Sequence, residues 1–146
     1  ITIPEGATSI ESNAFCNCDK LAYIEIPNSI TKIANQVFYG CSSLVSITIP
    51  EGITSINTEL FRGCSRLASI KIPDGVTSIE TGAFNDCRSL TEIIIPEGVA
   101  SIGNSAFLGC SSLTSIIFNG TEEQFKAINV GSNNTPFTNA TVTYTK

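Results

Sequence analysis

The tetrapeptide Ile-x-Ile-Pro returns along this chain at one fixed interval. It stands as Ile1-Thr2-Ile3-Pro4, Ile24-Glu25-Ile26-Pro27, Ile47-Thr48-Ile49-Pro50, Ile70-Lys71-Ile72-Pro73 and Ile93-Ile94-Ile95-Pro96, each copy 23 residues after the last. A constant period of this length marks a repeat architecture, in which each unit is one supersecondary element that buries its apolar side against its neighbours. Other columns keep the same beat. Leu21, Leu44, Leu67, Leu90 and Leu113 form one; Phe15, Phe38, Phe61, Phe84 and Phe107 another; Ile10, Ile33, Ile56, Ile79 and Ile102 a third. The alternation around Ile24 and Ile26 has period two and is rich in β-branched residues, which predicts a short strand with one buried face. Because the units run in the same direction, equivalent strands pair in parallel, about 4.8 Å apart.

Each proline closes its strand, since it has no N–H for the next ladder bond. The residues that follow are Glu5-Gly6, Glu51-Gly52, Asp74-Gly75 and Glu97-Gly98, with Asn28-Ser29 in the second coil. Proline at the second position and glycine at the fourth predict a type I turn. A short alternation such as Val76-Thr77-Ser78-Ile79 then predicts a second extended segment on the back of the coil. Ala83 to Asp86 reads as a helical turn leading to Cys87.

The pattern Leu-x-x-Ile-x-Ile-Pro-x-x-Ile-x-x-Ile-x-x-x-Val-Phe-x-x-Cys, from Leu21 to Cys41, resembles the BspA-like leucine-rich repeats, also called the Treponema pallidum type. It covers residues 1–118 as five coils and the strand of a sixth. The resemblance implies a leucine-rich-repeat solenoid, β-rich, with a parallel sheet on the concave side and short second strands and helical turns on the convex side. It also implies a family of bacterial and protist surface proteins, some of which adhere to host proteins. A fold of this kind does not name a ligand.

After Ile116-Ile117-Phe118 the period breaks, and residues 119–146 read as a C-terminal helix-strand cap similar to the terminal segment of BspA-like proteins. Thr121-Glu122-Glu123-Gln124 fits a capping box that opens a helix to about Asn129, with Phe125 and Ile128 on one face and Gly131 to end it. Ser132 to Asn139 reads as a polar loop, and Ala140 to Tyr144 as a strand. The tail covers core and unpaired edges at the solenoid's end. No initiator Met or leader is present and Ile1 falls in mid-repeat, as expected of a segment of a longer protein.

Cys18, Cys41, Cys64, Cys87 and Cys110 recur at the repeat interval, with Cys16 as the extra. A column of side chains pointing one way suits neither a tetrahedral metal shell nor serial disulfides, so it reads as buried thiols packing as small hydrophobes. One bridge involving Cys16 stays open as an alternative.

The net charge of −5 and the scattered basic residues argue against nucleic acid as a partner. No apolar run approaches the roughly 20 residues that cross a bilayer. The chain has no His, Met or Trp, which removes most acid-base and metal-ligand chemistry, so no cofactor or metal is expected. The column Glu5, Asn28, Glu51, Asp74, Glu97 reads as a solubility device, and the Asn-x-Thr triplets at Asn119, Asn133 and Asn139 as turn residues unless the source is eukaryotic. Recognition residues are therefore sought between and beside the strand isoleucines of the concave face. Tyr23, Glu25, Thr48, Ser69, Lys71, Glu92, Ile94 and Ile117 are the candidates: Tyr23 as an anchor, Lys71 beside Glu92, and Ile94 beside Ile117 as an exposed apolar pair. The expectation is a monomeric, non-catalytic, cell-surface or secreted module that binds a protein or glycan, including host extracellular matrix. The alternatives are a passive spacer that displays another domain and, more remotely, a carboxylate-based hydrolase.

Overall fold

The computed structural model describes residues 1–146. In chain order its elements are β1 (Ser9–Ile10), β2 (Lys32–Ile33), β3 (Ser55–Ile56), β4 (Ser69–Lys71), β5 (Ser78–Ile79), β6 (Glu92–Pro96), β7 (Ser101–Ile102), β8 (Ser115–Asn119), α1 (Glu122–Lys126), β9 (Asn129–Val130), α2 (Thr135–Asn139) and β10 (Thr141–Tyr144). All strand pairs are parallel and hold the repeat register, as in Ile70 opposite Ile93 and Ile93 opposite Ile116. The chain is a β-solenoid with one narrow sheet on its strand side, ordered β10-β8-β6-β4, and a second behind it, ordered β3-β5-β7-β9, with β1-β2 apart.

The core is a single cluster to which every repeat column contributes. Its axis is a stack of phenylalanine rings: Phe15, Phe38, Phe61, Phe84 and Phe107 follow one another at 5.7, 5.6, 5.5 and 5.4 Å between centroids. Successive planes tilt by no more than 13°, the offset-stacked arrangement that aromatic quadrupoles favour. The thiol column lies inside: Sγ of Cys41, Cys64, Cys87 and Cys110 donates to the carbonyls of Phe15, Phe38, Phe61 and Phe84 at 3.0–3.2 Å.

The expected strand end at proline is met in the fifth coil, where β6 closes on Pro96, whereas β4 stops at Lys71 and the first three coils have no strand there; the turn also sits one residue later than expected. The carbonyl of the proline accepts from the residue three on, as in Val76 N–H to Pro73 O at 3.1 Å. Proline lacks a donor yet keeps its acceptor, so the acidic residue and the glycine occupy the two central positions.

The segment around Phe84 is a chain of tight turns rather than a helical turn. Alternate N–H groups bond locally, as Ala83 to Glu80 O, while those between donate to the next coil: Gly82 to Asn104 O, Phe84 to Ala106 O and Asp86 to Leu108 O. Helix propagation is stopped by left-handed residues at two columns, one holding Asn13, Gln36, Glu59, Gly82 and Ser105, the other Asn17, Gly40, Gly63, Asp86 and Gly109.

The strand side is laddered only from the fourth coil onward. Ser46 to Ile49 make no backbone hydrogen bond to the coil on either side, and the second coil meets the first through the isolated bridge between Thr2 and Glu25. On the back, β2 and β3 are likewise unpaired, and the Asn57 side chain donates to Ile33 O there instead. A seam thus separates the second and third coils on both strand sides. The turn side runs through it unbroken: Phe38 N–H donates to Leu60 O at 3.0 Å. The seam coincides with the one coil whose turn carries Asn28-Ser29, and Ser29 Oγ is buried without a partner.

The capping box at Thr121 forms as expected, with Gln124 N–H to Thr121 Oγ1 at 3.2 Å and Thr121 N–H to Gln124 Oε1 at 2.8 Å. The helix ends at Lys126, earlier than expected, because β9 is drawn onto β7. The expected polar loop contains α2, whose Phe137 stacks on Phe107 at 5.0 Å and extends the aromatic axis. Asn134, 3% exposed, takes the place of a further coil's backbone. Its Oδ1 accepts from Phe107 N–H at 3.0 Å, and its Nδ2 donates to Gly103 O at 3.0 Å and Gly131 O at 2.9 Å. β10 then adds to β8 as the last rung.

Candidate functional site

The strand-side face is built from two outward columns per coil, because Ile24 and Ile26 and their equivalents turn inward. Tyr23, Ser46, Ser69, Glu92 and Ser115 form one column; Thr2, Glu25, Thr48, Lys71, Ile94 and Ile117 form the other. Tyr23 is 64% exposed, the most open large hydrophobic residue in the chain apart from Ile1. Glu25, Thr48, Ser69 and Lys71 are also exposed.

The structure divides the sequence candidates into two groups. Tyr23, Glu25 and Thr48 come together in a depression of about 420 Å³, whose remaining walls are Ile1, Thr2, Ile24, Ser46 and Ile47. It spans the first three coils and lies across the seam. Ser69, Lys71, Glu92, Ile94 and Ile117 lie outside it, on the laddered half. There the expected neighbours rearrange. Lys71 Nζ faces Glu51 Oε1 at 3.7 Å rather than Glu92, and Glu92 Oε2 accepts from Ser115 Oγ at 3.1 Å. Ile94 and Ile117 do pair in register, but each is half-buried, with Thr143 as the next rung beside Ile117, so they form no exposed apolar patch.

Ile47 and Thr2 were not legible as lining residues. Ile47 belongs to an inward column, and only the missing ladder bonds open it to solvent. Thr2 holds the same column position as Glu25, and the isolated bridge between the two sets the floor.

Groups of perturbed acidity lie away from this face. Glu59 is held below the usual carboxylate range by Gln36 Nε2 at 2.6 Å and by Arg62. Glu97 is lowered by Lys146 Nζ at 2.7 Å and by Gln124. Burial raises the thiols, Cys41 to about 11 and Cys110 to about 12. None of these groups lines the depression, and no cluster of three or more His, Cys, Asp or Glu residues could hold a metal ion. No helix is long and apolar enough to cross a membrane. What the arrangement offers chemically is an aromatic face, one carboxylate and several hydroxyls in a shallow cradle.

The family model for the BspA type leucine rich repeat region matches residues 1–114 in six copies. The chain belongs to the BspA-type leucine-rich repeat family. A leucine rich cell surface protein from Faecalibacterium prausnitzii has the same fold, with a TM-score of 0.86 and 38% identity over 88% of this chain. The match covers 34% of that protein, so the present chain spans about a third of it. A leucine rich repeat protein from T. pallidum aligns with a TM-score of 0.76 and 27% identity, over 91% of this chain and 68% of its own length. A search of the curated proteins found no match. The BspA-type coil accounts for the inward columns, whereas the outward residues that line the depression vary from coil to coil: Thr2, Glu25 and Thr48 at one position, Tyr23 and Ser46 at the other.

Proposed function

We propose that this chain is a non-catalytic recognition segment of a cell-surface or secreted protein, which engages a protein or glycan ligand through its strand-side face. The observation that carries the reading is the depression over the first three coils, where Tyr23 stands 64% exposed beside Glu25, Ser46 and Thr48. A tyrosine with two side-chain torsions loses little entropy on contact and presents a large amphipathic surface, which is why such residues anchor interfaces. Ser69 and Lys71, with Glu92, extend the contact surface along the laddered half; Ile94 and Ile117 supply its far, more apolar end. A surface of this shape suits an extended ligand laid along successive coils, the usual mode of solenoid recognition.

The test is an array of host matrix proteins and glycans probed with the whole chain. The triple variant Tyr23→Ala, Glu25→Gln, Thr48→Ala is expected to lose at least about tenfold in affinity for the strongest ligand. Arg66→Ala, an exposed change outside the depression, is expected to leave it unaltered. Binding that survives the triple variant moves the site off this face. An array with no ligand favours a spacer, and turnover of a bound glycan that stops on replacing one carboxylate makes the chain a hydrolase.

A further inference from the structure

The charge of the depression selects among ligands. Two contiguous hollows share Thr2 and Glu25: the one of about 420 Å³ beneath Tyr23, and one of about 260 Å³ that continues past Ile3, Ile26 and Pro27 to Glu5 and Asn28. Their only charged side chains are Glu5 and Glu25, and neither is in an ion pair. Elsewhere several carboxylates are neutralised locally: Glu51 by Lys71 at 3.7 Å, Asp86 by Arg88 at 3.3 Å, Glu97 by Lys146 at 2.7 Å. Lys20 lies with Asp19 in an adjoining hollow that shares Ile1 and Tyr23 with the larger one, outside the two hollows that hold Glu5 and Glu25.

We infer that the depression receives a lysine or arginine side chain from an extended basic segment of a protein partner, its cation over the Tyr23 ring and against the Glu25 carboxylate. This rests on the recognition reading above. An exposed aromatic face attracts a cation through its quadrupole, with Arg the most frequent partner. A carboxylate beside the ring adds a charge-assisted hydrogen bond, bidentate with a guanidinium. An anionic ligand would meet two uncompensated carboxylates along the same trough, and a neutral one would use neither charge. Glu5 stands where the next basic residue of the segment passes. One wall of the larger hollow is Ser46 to Thr48, within the unladdered stretch Ser46–Ile49, which is free to shift by small amounts as the segment enters.

The test uses the whole chain with its N-terminus acetylated, so that no α-ammonium enters the comparison. It is titrated by NMR with acetyl-Gly-Arg-Gly-Arg-Gly-amide, its Glu counterpart, and cellotetraose. Saturable shifts at Tyr23, Glu25 and Thr48 are expected with the Arg peptide alone. Its affinity is expected to fall about tenfold in Glu25→Gln and in Tyr23→Ala, and two- to threefold in Glu5→Gln. Raising salt from about 20 mM to about 500 mM weakens the parent and leaves Glu25→Gln nearly flat. An Arg peptide that causes no shift, or whose affinity Glu25→Gln leaves unchanged, overturns the assignment. If matrix-protein or saccharide binding then still depends on Tyr23, the recognition reading survives and only the basic segment falls. If nothing binds this face, both fall.

Discussion

The substitution Asn134→Ala isolates what the tail does for the solenoid. The side chain is 3% exposed and stands where the next coil's backbone would otherwise lie. Removing it orphans Phe107 N–H inside the core and leaves the carbonyls of Gly103 and Gly131, both half-buried, to find water. One fully buried donor left unpaired costs about 1–3 kcal/mol, and the two partly wetted acceptors add a smaller share, for a loss of about 2–4 kcal/mol. With 146 residues and about 2.1 cal/mol/K of unfolding entropy per residue, that corresponds to about 7–13 °C in melting temperature. Because each coil touches only its neighbours, the damage concentrates at one end. Exchange protection at Ser105, whose N–H donates to Ser132 O at 2.8 Å, and at Phe107 should fall before that at Phe61. Asn134→Asp distinguishes lost packing from lost hydrogen bonding: it keeps the acceptor for Phe107 but sets an oxygen against three carbonyls at 2.9–3.3 Å, so it should cost at least as much as alanine. Asn139→Ala, on the exposed end of α2, is the control. Urea and thermal melts followed by circular dichroism give the measurement. An Asn134→Ala protein within about 0.5 kcal/mol of its parent, with protection unchanged, refutes the reasoning.

Four further outcomes follow from the same geometry. Gly63 has φ of +75° with only ordinary contacts around its missing Cβ, so Gly63→Ala should cost about 1–2 kcal/mol, purely from the left-handed backbone. Gly103→Ala, whose Cβ would collide with the Thr81 backbone N, should cost more, and urea midpoints in the reverse order would contradict the account. The native protein at pH 8 should offer Cys16 and Cys18 to a thiol reagent, with Cys64, Cys87 and Cys110 reacting only on unfolding. Folding raises Cys41 from 9.0 to about 11 and Cys110 to about 12. The unfolded chain therefore sheds these protons first, and stability should hold below about pH 9 and fall as pH rises toward 11–12. A urea midpoint flat from pH 8 to about 10.5, or one whose slope Cys110→Ala leaves untouched, would refute this. Amides of Ser46 to Ile49, which lack ladder partners, should exchange far faster than Ile72, bonded to Ile94 O at 2.9 Å; equal protection would mean that the seam closes in solution.

The inward half of every coil could be read from the sequence because a repeat imposes one environment on each column. Leu, Phe and Ile columns report that environment five times over, so the inward packing and the parallel register were legible from the sequence, whereas the strand edges were not. The two left-handed columns carry a fainter version of the same signal. Asn17, Gly40, Gly63, Asp86 and Gly109 are all residues that tolerate positive φ, and their alignment marks the chain of turns against a helix. The seam was not legible, since Ile47-Thr48-Ile49 repeats the motif without fault, and the departure that coincides with it, Asn28-Ser29, lies in the neighbouring coil. Outside the periodic region the sequence was weaker again. Asn134 reads as one polar residue in a polar stretch, and only the orphan N–H of Phe107 gives it a task. Lys71 had two carboxylates within reach of a flexible side chain, and pattern alone could not choose Glu51 over Glu92.

Order along this molecule is graded, and the gradient has a direction that bears on recognition. From β4 onward the strand side is tied by a continuous ladder, closed by β10 and by the aromatic cluster of Phe118, Phe125, Phe137 and Tyr144. At the third coil the strand-side bonds give out over Ser46–Ile49, while the phenylalanine stack and the turn-side bonds run on through it. The first two coils, bridged to each other at Thr2 and Glu25, are therefore tied to the third along the turn side and open to it along the strand side. A ligand lying in the depression as proposed would contact three coils at once and cross-link the second to the third where the strand-side backbone does not. On the proposed recognition reading, ordering that stretch would consume part of the binding energy, and affinity for a short ligand is expected to be modest. The same coils with an intact ladder would present a flatter and stiffer face, and Tyr23 would then stand beside a closed sheet rather than at the rim of a cradle.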